Sequence, residues 1–387
     1  MKTRIQFAFL CIALSSFLAC NSHNKKATKL VANTIKTQHS EPNKQFIKVA
    51  LLLDTSNSMD GLIDQAKAQL WDIVNELSYA KCGTKKPNLK IALYEYGNDR
   101  LNSNEGYIRQ VLPFSDDLDD ISKELFSLTT NGGNEYCGAV IQTSINQLHW
   151  GNNPDDLKRI FIAGNEPFTQ GNINYKDAAT NANEKDITVN TIFCGNYNQG
   201  ITSYWKDGAQ LTQGNYMAID HNKATVHIAS PYDDAILILN QQLNKTYIAY
   251  GKRGVTKMAL QAEQDANAQG YSKANAVKRT ISKSSHLYKN KSWDLVDAVE
   301  DEEIVVETLK EEALPDVLKG KNKAEIKAYI AKKKAERTEI QKKIQDLHAK
   351  RSRYISEKSK ANSSNGLENA MTKAIKTQAK KKNYTWK

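Results

Sequence analysis

The segment FIKVALLLD, residues 46–54, constrains the fold more than any other part of the sequence. It is an almost continuous apolar run of strand length, and the next segment, GLIDQAKAQLWDIVNELSYA, has the period of an amphipathic helix. The apolar residues of that helix share one face: Leu62, Ile63, Ala66, Leu70, Ile73, Val74 and Leu77. A strand without a polar face is buried on both sides, which is typical of parallel sheets covered by helices. These two segments therefore predict an α/β protein.

Strand patterns and helical patterns alternate as far as residue 248. The predicted strands after the first are NLKIALYEYG, GYIRQVLPF, LKRIFIAG, ITVNTIFCG and NYMAID. Pro113 marks the second of these as an edge strand. This order predicts a Rossmann-like, doubly wound, mainly parallel sheet over residues 46–248, followed by a helical C-terminal region. Such sheets bind ligands at the carboxyl ends of their strands.

The loop DTSNSM follows the first strand at that edge. Asp54, Ser56 and Ser58 present three small oxygen side chains, which suit a hard divalent cation such as Mg²⁺. The loop resembles the Asp-x-Ser-x-Ser signature of the von Willebrand factor type A (VWA) domain, and the order of elements over residues 46–248 resembles that fold. The resemblance implies a metal-ion-dependent adhesion site that holds Mg²⁺, or Mn²⁺ or Ca²⁺, and a protein partner.

Two other ligand positions depart from the family pattern. In GGNEYCGAV, Glu135 stands where the family has a threonine, and in IFIAGNEPF, Gly164 stands where it has an aspartate. We expect Glu135 to replace the lost carboxylate, because Asp54 and Glu135 together offset a divalent cation. Asn165 and Glu166, which follow Gly164, are candidates to support the direct ligands. A cation balanced in this way would attract an acidic group from a partner less strongly.

A metal-free interpretation of the same loop stays open. Asp54 and the two serines could instead cap the following helix and satisfy backbone N–H groups. Two other families fit worse: haloacid-dehalogenase phosphatases need an aspartate where Ser56 stands, and an EF-hand needs Gly and Glu where Met59 and Gln65 stand. Motifs of nucleophilic, zinc-dependent or phosphate-binding catalysis do not occur, so the sequence predicts no enzyme.

The first 20 residues, MKTRIQFAFLCIALSSFLAC, have the basic start, apolar stretch and small residues of a secretory signal. FLAC resembles a bacterial lipoprotein box, which predicts a lipid on Cys20; cleavage without lipidation is the alternative. Residues 21–45 are polar and predict a flexible tether. We therefore expect an exported protein anchored to the bacterial cell envelope. No acidic cluster follows Cys20, which favours an anchor that faces the periplasm.

Three cysteines remain beyond the signal segment, in a compartment that permits disulfides. On the inferred topology Cys137 and Cys194 lie at the ligand edge, and Cys82 lies at the opposite edge. The sequence allows a Cys137–Cys194 bridge or three buried thiols.

The C-terminal region, residues 249–387, is basic and mainly helical by its pattern. Residues 321–387 contain 20 Lys and Arg against 6 Asp and Glu, whereas the whole chain has a net charge of +11. The basicity therefore belongs to this end of the chain. Anionic envelope polymers or lipid head groups are candidate partners; a merely solvated helix is the alternative, and export argues against nucleic acid.

A long helix is predicted over residues 321–358. Its 4,3 seam consists of Ile326, Ile330, Lys333, Arg337, Ile340, Ile344, Leu347, Arg351 and Tyr354. Basic seam positions argue against a strict coiled coil and for packing on a partner or on the chain itself. The sequence thus predicts an envelope binding or scaffolding protein with a modified metal site. The rivals are a metal-free scaffold that binds through its C-terminal helices and a metal-dependent envelope hydrolase.

Overall fold

The computed structural model describes residues 44–223, 225, 227–358 and 366–386. The predicted signal peptide (1–20), the predicted lipid site Cys20 and residues 21–43 of the predicted tether lie outside the described residues.

Strands form where the sequence predicts a sheet. Their bounds are β1 (Phe46–Asp54), β2 (Ala80–Cys82), β3 (Asn88–Tyr96), β4 (Ile108–Ser115), β5 (Leu157–Gly164), β6 (Thr188–Cys194), β7 (Tyr216–Ile219) and β8 (Tyr384–Trp386). Six of them form one sheet in the order β4-β3-β1-β5-β6-β7, with β4 antiparallel at one edge and the others parallel. The predicted mainly parallel sheet and its predicted edge strand are confirmed.

The helices cover both faces of this sheet and continue beyond it. Their bounds are α1 (Asp60–Leu77), α2 (Leu118–Ser127), α3 (Cys137–Gln147), α4 (Tyr175–Glu184), α5 (Tyr197–Thr202), α6 (Trp205–Gln210), α7 (Asp233–Asn244), α8 (Gly251–Tyr271), α9 (Lys273–Lys283), α10 (Leu295–Glu300), α11 (Lys323–Lys358) and α12 (Leu367–Ala379). None of the described helices is both long enough and apolar enough to cross a membrane.

Strand β1 lies in the middle of the sheet and has a hydrophobic core on each side. Leu51 and Leu53 belong to a core shared with α1, α2 and α12, whereas Ala50 and Leu52 belong to a second core shared with α3 and α4. Successive side chains of a strand point to opposite faces, so a strand between two helical layers must be apolar at every position. This explains the apolar run in the sequence.

The C-terminal helices pack on the helical layer of the sheet. The side-chain oxygens of Gln65 and Gln69 on α1 accept hydrogen bonds from the first backbone N–H groups of α12, at 3.3 and 2.6 Å. After α12, β8 pairs antiparallel with β2. The sequence did not predict β8, because three residues carry too little periodicity to mark a strand.

The long helix α11 packs on α7, α9 and α10 of its own chain. Its predicted seam is confirmed as the inward face, since Ile326, Ile330 and Ile344 are buried. Two basic seam residues are buried as ion pairs: Arg337 with Asp294 and Asp297, and Arg351 with Asp233. These two basic seam positions therefore mark contacts with acidic side chains of neighbouring elements, whereas the third, Lys333, pairs with Glu336 of α11 itself.

Candidate metal centre

The loop after β1 places its oxygen side chains at the carboxyl edge of the sheet. Asp54 is fully buried, Ser56 is 4% exposed and Ser58 is exposed. The backbone N–H of Ser56 donates to Asp54 Oδ1 at 2.7 Å, and the hydroxyls of Ser56 and Ser58 are 3.3 Å apart. Neither serine caps the following helix with its side chain. The helix-capping interpretation therefore fails for the serines, although Asp54 does satisfy one backbone donor.

Glu135 reaches this loop because two glycines allow close backbone approach. A Cβ at Gly133 would lie 2.3 Å from the carbonyl oxygen of Gly97, and a Cβ at Gly97 would lie 2.6 Å from Cγ of Glu135. Gly97 also has a positive φ of 80°, which disfavours other residues. The backbone N–H of Glu135 donates to Gln170 Oε1 at 2.8 Å. The structure thus brings Glu135, which is 4% exposed, against Asp54.

Three oxygens at this place are buried and have no hydrogen-bond partner: Asp54 Oδ2, Glu135 Oε2 and Asn165 Oδ1. Native structures leave few buried polar atoms unpaired, and an unpaired buried oxygen costs about 1–3 kcal/mol. Three such acceptors that converge from separate loops are an arrangement that a bound cation would satisfy.

The electrostatics of the two carboxyl groups lead to the same conclusion. Burial raises the pKa of Asp54 well above its usual range, and the charge of Glu135 raises it further. Burial also raises the pKa of Glu135, although hydrogen bonds with Asp54 and with the Ser56 hydroxyl oppose this, and the charge of Glu166 adds to the increase. Two buried like charges without a cation are unfavourable, whereas a divalent ion between them would offset both.

The donors present therefore fit a hard divalent cation. Asp54, Ser56, Ser58 and Glu135 supply carboxylate and hydroxyl oxygens, the ligand types that Mg²⁺ and Ca²⁺ prefer. The described residues contain no group of three or more His, Cys, Asp or Glu side chains that could hold a metal. The candidate centre consequently depends on hydroxyl and amide oxygens besides its two carboxylates.

Position 164 shows why the family's second aspartate has no place here. A Cβ on Gly164 would lie 2.6 Å from the hydroxyl of Tyr96 and 3.1 Å from Asp54 Oδ2. The buried Tyr96 hydroxyl donates to the carbonyl of Ala163 at 3.0 Å, which holds it in this position. Tyr96 was not among the residues singled out in the sequence, where it appears only as the last apolar residue of a strand.

The two residues that follow Gly164 approach the centre differently. The Asn165 side-chain amide donates to Ser58 Oγ at 3.1 Å. Glu166 is exposed, and its backbone N–H lies within hydrogen-bonding reach of Glu135. Asn165 therefore lies among the candidate ligands, whereas the Glu166 carboxylate contributes charge near the centre.

The cysteines of the described residues are free thiols, and Cys137 and Cys194 are buried beside the centre. Cys137 Sγ lies 3.9 Å from the Tyr96 hydroxyl. Burial raises the pKa of both thiols well above their usual range. The Cys137–Cys194 bridge is not formed in this structure; whether it forms under oxidising conditions stays a prediction.

Residues 48–203 match the family model of the von Willebrand factor type A domain. The match includes β1, the DTSNSM loop, the Glu135 loop and the end of β5, and the fold around it is the Rossmann-like sheet that the family resemblance predicts. This part of the chain is therefore a VWA domain.

Solved structures of three other proteins are similar to this chain. The conserved hypothetical protein BatB from Bacteroides thetaiotaomicron is 17% identical over 45% of this chain and 90% of its own, with a TM-score of 0.35. An aerotolerance-related membrane protein from Bacteroides fragilis is 16% identical over 45% of this chain and 92% of its own, with a TM-score of 0.32.

The third is proximal thread matrix protein 1 from the mussel byssus, in a structure with a zinc-occupied metal-ion-dependent adhesion site. It is 13% identical over 46% of this chain and 43% of its own, with a TM-score of 0.35. The comparison with curated proteins found no match.

Proposed function

We propose that this protein is a cell-envelope binding or scaffolding protein whose VWA domain recognises a protein partner at a modified, cation-dependent site. Asp54, Ser56, Ser58 and Glu135 bind the divalent cation, and Asn165 completes or supports this set. VWA domains are generally interaction modules, and many bind a divalent cation at the end of the first strand of the sheet. The chain is exported and held at the envelope by a lipid on Cys20, with its domain in the periplasm.

The observation that carries the proposal is the convergence of three unpaired buried oxygens on the DTSNSM loop. A site that had lost cation binding would be expected to fill this space with apolar side chains or to pair these oxygens with donors of the chain, because unpaired buried acceptors are costly. Instead, the close approach of Glu135 to Gly97 brings a second carboxylate to Asp54.

The second carboxylate changes what the site can bind. With Asp54 and Glu135 both ionised, the charge of a divalent cation is offset from within the chain. A partner then has less to gain by contributing an acidic side chain. Ser58 is exposed, so the centre is open to solvent on that side. We therefore infer a partner that approaches the cation with a neutral oxygen, such as a carbonyl or hydroxyl, and takes most of its affinity from the surrounding loops.

Calorimetric titration of Mg²⁺, Mn²⁺ and Ca²⁺ into residues 44–387, which belong to one compact unit, tests the cation. Saturable binding is expected for the unmodified chain, with none for Asp54→Ala and a sharp decrease in affinity for Glu135→Ala. Glu105→Ala is the matched control, because Glu105 is an exposed carboxylate of the loop between β3 and β4. Equal titration curves for all of these proteins would refute the cation site.

If no cation binds, the alternative hypothesis is a metal-free scaffold that binds its partner through the C-terminal helices. Partner binding through the C-terminal helices cannot be tested by deleting them, because α12 buries Met371 and Ile375 in the core beside α1. Neutralising the exposed residues Lys332, Lys342 and Lys350 on α11 tests that alternative without opening the core.

A further inference from the structure

The edge of the sheet opposite the candidate metal centre has a different chemical character. The parallel strands β1, β3, β5, β6 and β7 all begin there, and the connections that lead into them are rich in lysine. The lysines of this edge, which we call the basic pole, are Lys81, Lys86, Lys185, Lys380, Lys381 and Lys382. They come from three separate segments that the fold brings to one edge.

Hydrogen bonds and an ion pair place the C-terminal lysines at this edge. Lys382 Nζ donates to the carbonyl oxygens of Pro154 and Asp156, at 2.7 and 2.9 Å, and pairs with Asp186 at 2.6 Å. Asp156 directly precedes β5, and Asp186 lies just before β6. Lys381 Nζ donates to Gln213, in the connection that leads into β7, at 3.3 Å.

Acidic side chains are also present at this edge but leave it basic. Asp186 is paired with Lys382 and Glu76 with Lys376, and the exposed Asp155 and Glu184 are outnumbered by the lysines. Lys86, Lys185, Lys380 and Lys381 are exposed, and none of them forms an ion pair within the described residues. At the opposite edge the exposed side chains include Asp60, Asp99 and Glu166, beside the buried carboxylates of the candidate centre. The edge where the parallel strands begin is therefore basic, and the edge where they end is acidic.

The chain enters the domain at the basic pole. Strand β1 begins at Phe46, whose N–H donates to Asp156 at 2.9 Å, and the predicted tether and lipid site Cys20 precede it in the sequence. Two aromatic side chains lie at the same edge: Tyr79, which is 37% exposed, and the half-buried Trp386 of β8. Tyrosine and tryptophan beside lysine are typical of surfaces that lie at a lipid–water interface.

We propose that the basic pole docks on the anionic surface of the lipid bilayer to which the chain is tethered. This proposal rests on the lipid-anchored location in the proposed function. Lysines near an anionic bilayer are attracted to it within about a Debye length, and several of them act together. Strand β1 has nine residues and spans about 26 Å at about 3.3 Å per residue. Docking therefore turns the candidate metal centre away from the membrane, toward a partner.

Co-sedimentation of unlipidated residues 44–387 with vesicles tests the docking without help from the anchor. Vesicles of mixed phosphatidylglycerol and phosphatidylcholine are compared with vesicles of phosphatidylcholine alone, each at about 0.1 M and about 1 M salt. Binding is expected to the anionic vesicles at low salt only. The pole variant carries three substitutions: Lys86→Gln, Lys185→Gln and Lys380→Gln. Its affinity is expected to fall on the order of a hundredfold, since each lysine near the surface contributes about fivefold.

A variant with the same charge change elsewhere separates the pole from net charge. It carries Lys321→Gln, Lys332→Gln and Lys342→Gln, which are exposed lysines of α11 and of the loop before it, and it should bind like the unmodified chain. Matching thermal unfolding of the three proteins excludes a folding defect. Equal losses in both variants, no binding to anionic vesicles, or binding to an acidic polysaccharide but not to vesicles would each overturn the proposal. Cation titration is independent of all these results, so failure of the docking and failure of the metal site are distinguishable.

Discussion

This protein has two groups of buried charged side chains. One contains only acidic residues, and the other contains acidic and basic residues that pair with each other. At the candidate metal centre, Asp54 and Glu135 carry the same charge, and each has an oxygen without a partner. In the helical layer, Arg279 is 1% exposed and pairs with Asp119 at 2.8 Å and Asp265 at 2.7 Å. We call this second group, together with Lys283, the ionic cluster.

The difference shows that burial of charge alone does not identify a functional site. In the ionic cluster, burial opposes ionisation of Asp265, yet Lys283 and Arg279 outweigh it and hold the pKa of Asp265 well below its usual range. At the candidate centre burial raises the pKa of both carboxyl groups, and no cationic side chain in the described part of the chain opposes it. The charges of the ionic cluster are thus balanced within the chain, although Asp119 Oδ1 and Arg279 Nη1 form no hydrogen bond, whereas the centre lacks a positive charge that an ion would supply.

Breaking the ionic cluster should have the largest effect on stability. Arg279→Ala leaves the buried carboxylates of Asp119 and Asp265 without their shared partner, and the free energy of unfolding should fall by about 3–5 kcal/mol. Denaturant unfolding measures this change. The control is Arg353→Ala, since Arg353 is exposed on α11 and should cost under about 0.5 kcal/mol. Equal decreases in the free energy of unfolding of the two variants would show that the ionic cluster does not stabilise the helical layer.

Position 164 tests how closely the candidate centre is packed. Gly164→Ala puts a methyl group against the Tyr96 hydroxyl and Asp54, and we expect a loss of about 2 kcal/mol. Tyr96→Phe removes that hydroxyl, so the double variant should be more stable than the sum of the two single changes predicts. A double-mutant cycle on unfolding free energies measures the coupling. Strict additivity would mean that Tyr96 does not occupy the place of the family's aspartate.

His348 provides a smaller test in the helical layer, where it stacks on Tyr79 with ring centroids 6.4 Å apart. Burial, with help from the charge of Arg351, lowers the pKa of His348 from 6.5 to about 4. Between these values the unfolded chain binds the proton and the folded chain does not. Stability is therefore complete above pH 6.5 and falls toward pH 4, by about 1–2 kcal/mol after allowance for partial exposure.

His348→Gln should flatten this part of the pH profile of unfolding, and His149→Gln, at an exposed position, should leave it unchanged. If both variants keep the same slope between pH 4 and 6.5, the slope arises from other groups.

The sheet could be predicted from the sequence because its signals are local. Continuous apolar strands, the edge proline and the helix after β1 each fix a structure over a few residues. The seam of α11 was predictable for the same reason, and the structure explains its basic members: Arg337 and Arg351 are buried on acidic partners far away in the sequence. Strand β8 was not predictable, because its pairing with β2 joins residues about 300 apart.

The candidate centre was predictable in part. The DTSNSM loop and Glu135 could be selected by type and position, and the structure brings them together. The role of Tyr96 could not, since it follows from how the end of β3 lies against β5 in the folded sheet. The difference in charge between the two sheet edges could not be predicted either, because the lysines of the basic pole lie in three separate parts of the chain.

Thermal unfolding of the unmodified chain and of Glu135→Gln, each with and without Mg²⁺ or Mn²⁺, tests the central claim most directly. We predict that the cation raises the melting temperature of the unmodified chain by mass action and has little effect on the variant. Without the cation the variant should be more stable by about 1 kcal/mol, because one of two buried like charges is gone. A variant that is less stable without the cation, together with no shift of the unmodified chain with it, would contradict the account.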